Sequence, residues 1–142
     1  MSDKTTRRDF LTTTAAAGAA LTVTGGLFGG TSEAVKVGIV GCGGRGSGAA
    51  ENILDADPQV KIVSLGDAFD FRAKGLLDRL KKIEKYKDRI LATPETTFTG
   101  LDAYKKVVTS DCDIVVLATP PGFRPLHLEA AVKAGKHIFT EK

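Results

Sequence analysis

An α/β fold built on a doubly wound parallel sheet is what this sequence predicts, and three observations carry the expectation. An apolar run, Val35 to Val40, leads directly into Gly41-x-Gly43-x-x-Gly46 and then into a helical pattern. Strand-like and helix-like segments go on alternating to the end of the chain. An acid, Asp67, stands at the tip of the second apolar run, 67 − 46 = 21 residues beyond the last glycine. Strands separated by helices at this spacing pair in parallel through right-handed crossovers.

Taken in order, the first strand is followed by a helix from about Arg45 to Ala56, ended by Asp57-Pro58. Val60 to Leu65 reads as the second strand. The basic stretch from about Phe69 to Tyr86 carries Leu76, Leu77, Leu80 and Ile83 at helical spacing, so its Lys and Arg residues form a solvated face. A polar connection through Thr93-Pro94 leaves room for a short third strand near Thr97-Phe98. A short helix from Leu101 to Val108, a strand from Asp113 to Ala118, a helix from about Pro125 to Ala134 and a strand from Lys136 to Thr140 complete the pattern, with Gly135 as the last helix's stop.

The glycine pattern is the chemical signal. In a strand-turn-helix context Gly41 permits the sharp turn, Gly43 lets backbone approach a pyrophosphate, and Gly46 lets the helix pack closely, while the helix start offers free N–H groups to phosphate. The candidate cofactor contacts are therefore Gly41, Cys42, Gly43, Gly44, Arg45 and Gly46, in a Rossmann-type arrangement. The same glycines also suit a plain tight connection. Asp67 is placed to accept both hydroxyls of an adenosine ribose, and equally to cap the helix that follows. Its charge would repel a 2′-phosphate, which favours NAD without excluding NADP. A Rossmann-type methyltransferase would share these two features. Thr119-Pro120-Pro121-Gly122 follows the fourth strand at the edge that lines the ligand crevice in an open parallel sheet.

The first 34 residues differ in kind. Thr6-Arg7-Arg8-Asp9-Phe10-Leu11 precedes a mildly apolar Ala/Thr/Gly/Leu stretch, resembling a twin-arginine export signal. Its threonines and glycines set it apart from the roughly 20 mainly apolar residues of a membrane span. Ser32-Glu33-Ala34 is a small-x-small cleavage candidate lying directly against the first strand. The expectation is an exported protein that engages the twin-arginine machinery, periplasmic, or membrane-associated if the signal stays uncut. About 108 residues (142 − 34) then form one domain from 35 to 142.

A formal net charge of +3 is too mild to imply nucleic acid. Cys42 and Cys112, the two cysteines, fall at opposite ends of a parallel sheet, roughly 15–20 Å apart at about 3.3 Å per residue, too far for a disulfide. His127 and His137 have no metal-ligand spacing with Cys or acids, so no metal site is expected.

The run from Ala118 to Lys142, ATPPGFRPLHLEAAVKAGKHIFTEK, together with the glycine motif, resembles the glucose-fructose oxidoreductase and inositol dehydrogenase (Gfo/Idh/MocA) family over essentially all of Val35 to Lys142. The resemblance implies a nicotinamide-dependent oxidoreductase that moves hydride to or from a carbinol carbon of a sugar or cyclitol. It implies a second α/β domain forming the substrate site, absent here, so the chain reads as an N-terminal fragment, with homo-oligomerisation through the missing domain left open. Lys142 matches the family's catalytic lysine, and Glu141 precedes it as a cofactor-side support. Family members usually continue with Pro, and this sequence ends before that position. His127 matches a recurrent histidine at the substrate end, whereas Arg124 stands where many relatives have His. The family's NAD-dependent glycosidases offer an alternative, in which oxidation acidifies a C–H, elimination cleaves the glycosidic bond and the cofactor ends as it began. A cofactor-binding sensor without catalysis is the non-enzymatic alternative.

Overall fold

The computed structural model describes residues 34–141. The export-signal expectation at residues 1–33 and the catalytic expectation at Lys142 lie outside the described residues. The elements are Val35–Val40 (β1), Gly44–Ala56 (α1), Val60–Asp67 (β2), Asp70–Lys82 (α2), Thr97–Thr99 (β3), Ala103–Thr109 (α3), Ile114–Leu117 (β4), Arg124–Lys133 (α4) and His137–Thr140 (β5). Every strand pairing is parallel and the sheet order is β3-β2-β1-β4-β5. The winding reverses between β1 and β4, and a crevice opens at the carboxyl ends of strands at such a point. Among the described residues, no helix is long and apolar enough to cross a membrane.

Alternating side chains along the strands feed two apolar layers. Val37, Ile39, Ile62, Leu65 and Val116 pack with Ala50 and Leu54 of α1 and with Leu76, Leu77 and Leu80 of α2. Val40, Val115 and Leu117 pack on the opposite face with Tyr104, Val107 and Val108 of α3 and Ala131 of α4. A buried residue of this kind contributes about 1.5–3 kcal/mol, so the two layers, rather than helix propensity, hold the elements in place. Helix α3 lies close on the sheet because β1 and β2 present Gly38 and Gly66 beneath it; a Cβ on either would come within 2.8 Å of a Val107 methyl. Cys42 and Cys112 are both free and buried, in different layers.

Helix α2 departs from the expected span by ending at Lys82 instead of Tyr86. Ile83 turns extended, and the chain bends so that Tyr86 is buried while its hydroxyl donates to Asp55 Oδ1 at 2.7 Å. A continued helix would keep the helical spacing of Leu80 and Ile83, but this anchor to the end of α1 wins. Strand β5 starts at His137, one residue later than expected. The Lys136 ammonium donates to the carbonyls of Cys112 at 2.7 Å and Ser110 at 3.2 Å, which ties the entry of β5 to the loop before β4.

Candidate cofactor site

The turn after β1 is built by its neighbours. Gly41 has φ of +94°, a region closed to most side chains, and its N–H donates to the Gly66 carbonyl on β2 at 2.8 Å. The turn is closed by Asp67. Its Oδ2 accepts the Cys42 N–H at 2.7 Å and its Oδ1 accepts the Phe69 N–H at 2.9 Å. Asp67 is thus a buried clasp between two loops, and the cap reading fails in detail, because α2 begins at Asp70 with Phe69 at the cap position and no side-chain cap. Each carboxylate oxygen has a second lone pair, so the clasp keeps acceptor capacity for a ribose diol.

Cys42 is set behind this turn. Its Sγ lies 3.5 Å from the Gly66 carbonyl, and burial, with the adjacent Asp67 charge adding to it, pushes the thiol pKa up to about 12. Gly46 is also a packing residue: a Cβ there would fall 1.7 Å from the Gly41 carbonyl oxygen. Gly43 and Gly44 have no such cause. A Cβ on Gly43 would meet nothing nearer than Arg72 Nη1 at 3.8 Å, and one on Gly44 would meet nothing within 4 Å. Both line an open cleft of about 360 Å³. Helix α1 has no side-chain cap and no acid in its first turn, so its leading N–H groups stay available to an anion.

Three sides of the cleft come from separate elements. Gly41, Gly43, Gly44 and Arg45 form the side at the start of α1, and Asp67 with Arg72 the side beyond β2. Thr119, Pro120, Pro121 and His127 close the third, after β4. The Thr119 loop is held twice: Arg124 Nη2 donates to the Thr119 carbonyl at 2.8 Å, and the Thr119 hydroxyl meets His127 Nδ1 at 3.0 Å. His127 is buried against the Tyr104 ring, centroids 4.3 Å apart, and burial lowers its pKa below the usual 6.5, leaving a neutral ring at pH 7. Arg124 lies off the wall, acting on it through Thr119. Glu141 lies off it too, paired with Arg45 at 2.6 Å.

The structure brings Gly41, Gly43, Gly44, Arg45, Asp67, Thr119, Pro120, Pro121 and His127 to one cleft, and Cys42, Gly46, Arg124 and Glu141 do not line it. Sequence reasoning missed Tyr104 on α3, which reads as an ordinary core aromatic, and the exposed Phe69, Leu101 and Phe123 along the same cleft. It saw Arg72 as part of the solvated basic face of the second helix. In the structure its guanidinium sits 5.1 Å from the centre of the Phe69 ring and faces the glycine turn.

An uncapped helix start after a glycine turn, a buried acid at the end of β2 and a stiff loop after β4 define a dinucleotide-binding α/β domain. The chain belongs to the Gfo/Idh/MocA oxidoreductase family, whose NAD-binding Rossmann fold model matches residues 35–142. It is 30% identical over 98% of its length to a glycosyl hydrolase family 109 protein of Solibacter usitatus, covering 33% of that protein. It is 34% identical over 80% of its length to an inositol 2-dehydrogenase of Rubrobacter xylanophilus, covering 28% of it. The scyllo-inositol dehydrogenase of Lactobacillus casei, solved with bound NAD(H) and scyllo-inositol, superposes with a TM-score of 0.56 at 28% identity, over 78% of this chain and 28% of that one. The chain thus spans about a third or less of the length of these relatives.

Asp67→Ser in the full-length protein is expected to weaken NADH binding and narrow its margin over NADPH, because a carboxylate that repels a 2′-phosphate is lost. The same change leaves the buried Cys42 N–H without its acceptor, at about 1–3 kcal/mol, so the melting temperature falls as well. Parallel fluorescence titrations and melts check this; an unchanged NADH-to-NADPH ratio removes Asp67 from the adenosine site.

Proposed function

We propose that this chain is the cofactor-binding part of an exported, NAD-dependent oxidoreductase that moves hydride to or from a carbinol carbon of a sugar or cyclitol. The observation that carries the reading is the cleft itself, where uncapped N–H groups, a buried acid with acceptor capacity and a braced loop meet. A bound nicotinamide supplies the hydride acceptor or donor. The glycine turn and α1 hold the phosphates, Asp67 the adenosine ribose, and the Thr119 loop the nicotinamide end. Lys142, in the position of the family's lysine, orients the reacting hydroxyl and takes part in moving its proton.

A second reading, an NAD-dependent glycosidase, is favoured by one observation. The similarity to the glycosyl hydrolase family 109 protein covers 98% of the chain and so extends into the first 34 residues, whereas that to the inositol 2-dehydrogenase covers 80%. Export sharpens the contrast. Free nicotinamide cofactor is scarce outside the cytoplasm, and a closed cycle needs none, provided the cofactor is loaded before folded transit.

One preparation tests both readings. Full-length protein from the exported fraction should keep bound NAD through extensive dialysis; turnover of a glycoside without added NAD supports the glycosidase, and turnover of a free cyclitol only with a second substrate or added NAD supports the dehydrogenase. Arg7→Lys with Arg8→Lys should hold the protein in the cytoplasm, correctly folded. Normal export of that variant would sink the twin-arginine reading.

A further inference from the structure

Arg45 lies at the second position of α1, beside the N–H groups assigned to phosphate, and its side chain is 76% exposed. Its Nη2 donates to Glu141 Oε2 at 2.6 Å, a contact spanning 96 residues of sequence. Glu141 is held at its own backbone, where its N–H donates to the Leu117 carbonyl of β4 at 3.1 Å, and its side chain is 21% exposed. A pair this open to water adds little to stability. What it does is geometric: it joins the phosphate turn to the residue directly before Lys142.

We propose that Arg45 is a positioning residue shared by two anions, the Glu141 carboxylate and the cofactor pyrophosphate, so that filling the phosphate site fixes the end of β5. The inference rests on the cofactor-binding reading above. A guanidinium suits the task because it is planar and carries five donors, so that one edge can engage Glu141 while the other faces the cleft that Arg45 lines. A lysine, as a point charge, serves one anion well and both poorly. Glu141 in turn fixes the rotamer of an otherwise mobile side chain. Without Arg45, the same carboxylate is only a negative charge near the phosphates.

This predicts that the effect of Glu141 on cofactor binding depends on Arg45. In NADH fluorescence titrations of the full-length protein, Glu141→Gln should weaken binding about fivefold, at the low end of ordinary site coupling. In an Arg45→Gln background the same change should leave binding unchanged or strengthen it. Arg45→Lys should retain NADH affinity within about threefold yet lower kcat at saturating cofactor roughly tenfold, a split that mere structural damage does not produce. Equal effects of Glu141→Gln in both backgrounds overturn the proposal, as does full kcat in Arg45→Lys. A wild-type protein that binds NADH but moves no hydride removes the oxidoreductase reading and leaves the binding cycle to decide this one; a wild-type protein that binds no nicotinamide cofactor overturns both.

Discussion

Gly46→Ala should abolish tight cofactor binding and destabilise the domain, although it adds a single methyl group. The new Cβ would lie 1.7 Å from the Gly41 carbonyl oxygen and 2.8 Å from the Gly41 carbonyl carbon. Neither is the far end of a flexible side chain, so backbone has to move. Gly41 cannot yield easily: its own Cβ position is 2.8 Å from the Ala118 backbone, and its N–H is engaged by Gly66. Overpacking of this kind typically costs about 1–3 kcal/mol, and here the strain falls on the turn proposed to receive phosphate. Gly75→Ala is the control. Gly75 lies in α2, exposed, with nothing within 4 Å of its Cβ position, so the same substitution should stabilise the protein by about 1 kcal/mol. Thermal melts with NADH titration separate the two; Gly46→Ala with unchanged affinity would show that the helix start is not the phosphate site.

Lys142→Ala should act on turnover and spare binding. A positioned acid-base group is worth roughly 10²–10⁴ in rate, so kcat should fall by that factor while bound NAD survives dialysis as in the unaltered protein. Lys142→Arg keeps a charge but not an amine that readily gives up its proton, and should recover little. Measuring kcat and retained cofactor on the same samples distinguishes loss of chemistry from loss of the site. Full activity in Lys142→Ala removes the lysine from the mechanism.

The fold was legible because its signals are local. A six-residue apolar strand, a glycine turn and helices with regular apolar spacing each declare themselves within a few residues, and parallel pairing follows from their alternation. The glycines and Asp67 were legible as a group for the same reason. What Asp67 does there was only half legible. Its distance from Gly46 predicts a ribose acceptor, but its bonds to the Cys42 and Phe69 N–H groups exist only once β1 and β2 lie side by side. Tyr104 and Arg72 were missed as parts of the cleft because their place depends on how α3 and α2 seat on the sheet. The end of α2 was misplaced because Ile83 continues the apolar spacing, and the competing anchor, Tyr86 on Asp55, joins residues 31 apart. In each miss the deciding contact is long-range, where periodicity has no reach.

The seating of Cys42 bears on how the protein ages. Burial pushes its pKa up to about 12, so little thiolate is present at pH 7, and the thiolate is the form that oxidants and disulfides attack. Cys112 is likewise buried. If the protein is exported as proposed, sulfur oxidation at Cys42 would fall on the turn proposed to receive phosphate, and burial shields that sulfur. Preparations stored without thiol reductant should therefore keep their cofactor affinity for as long as the fold itself survives.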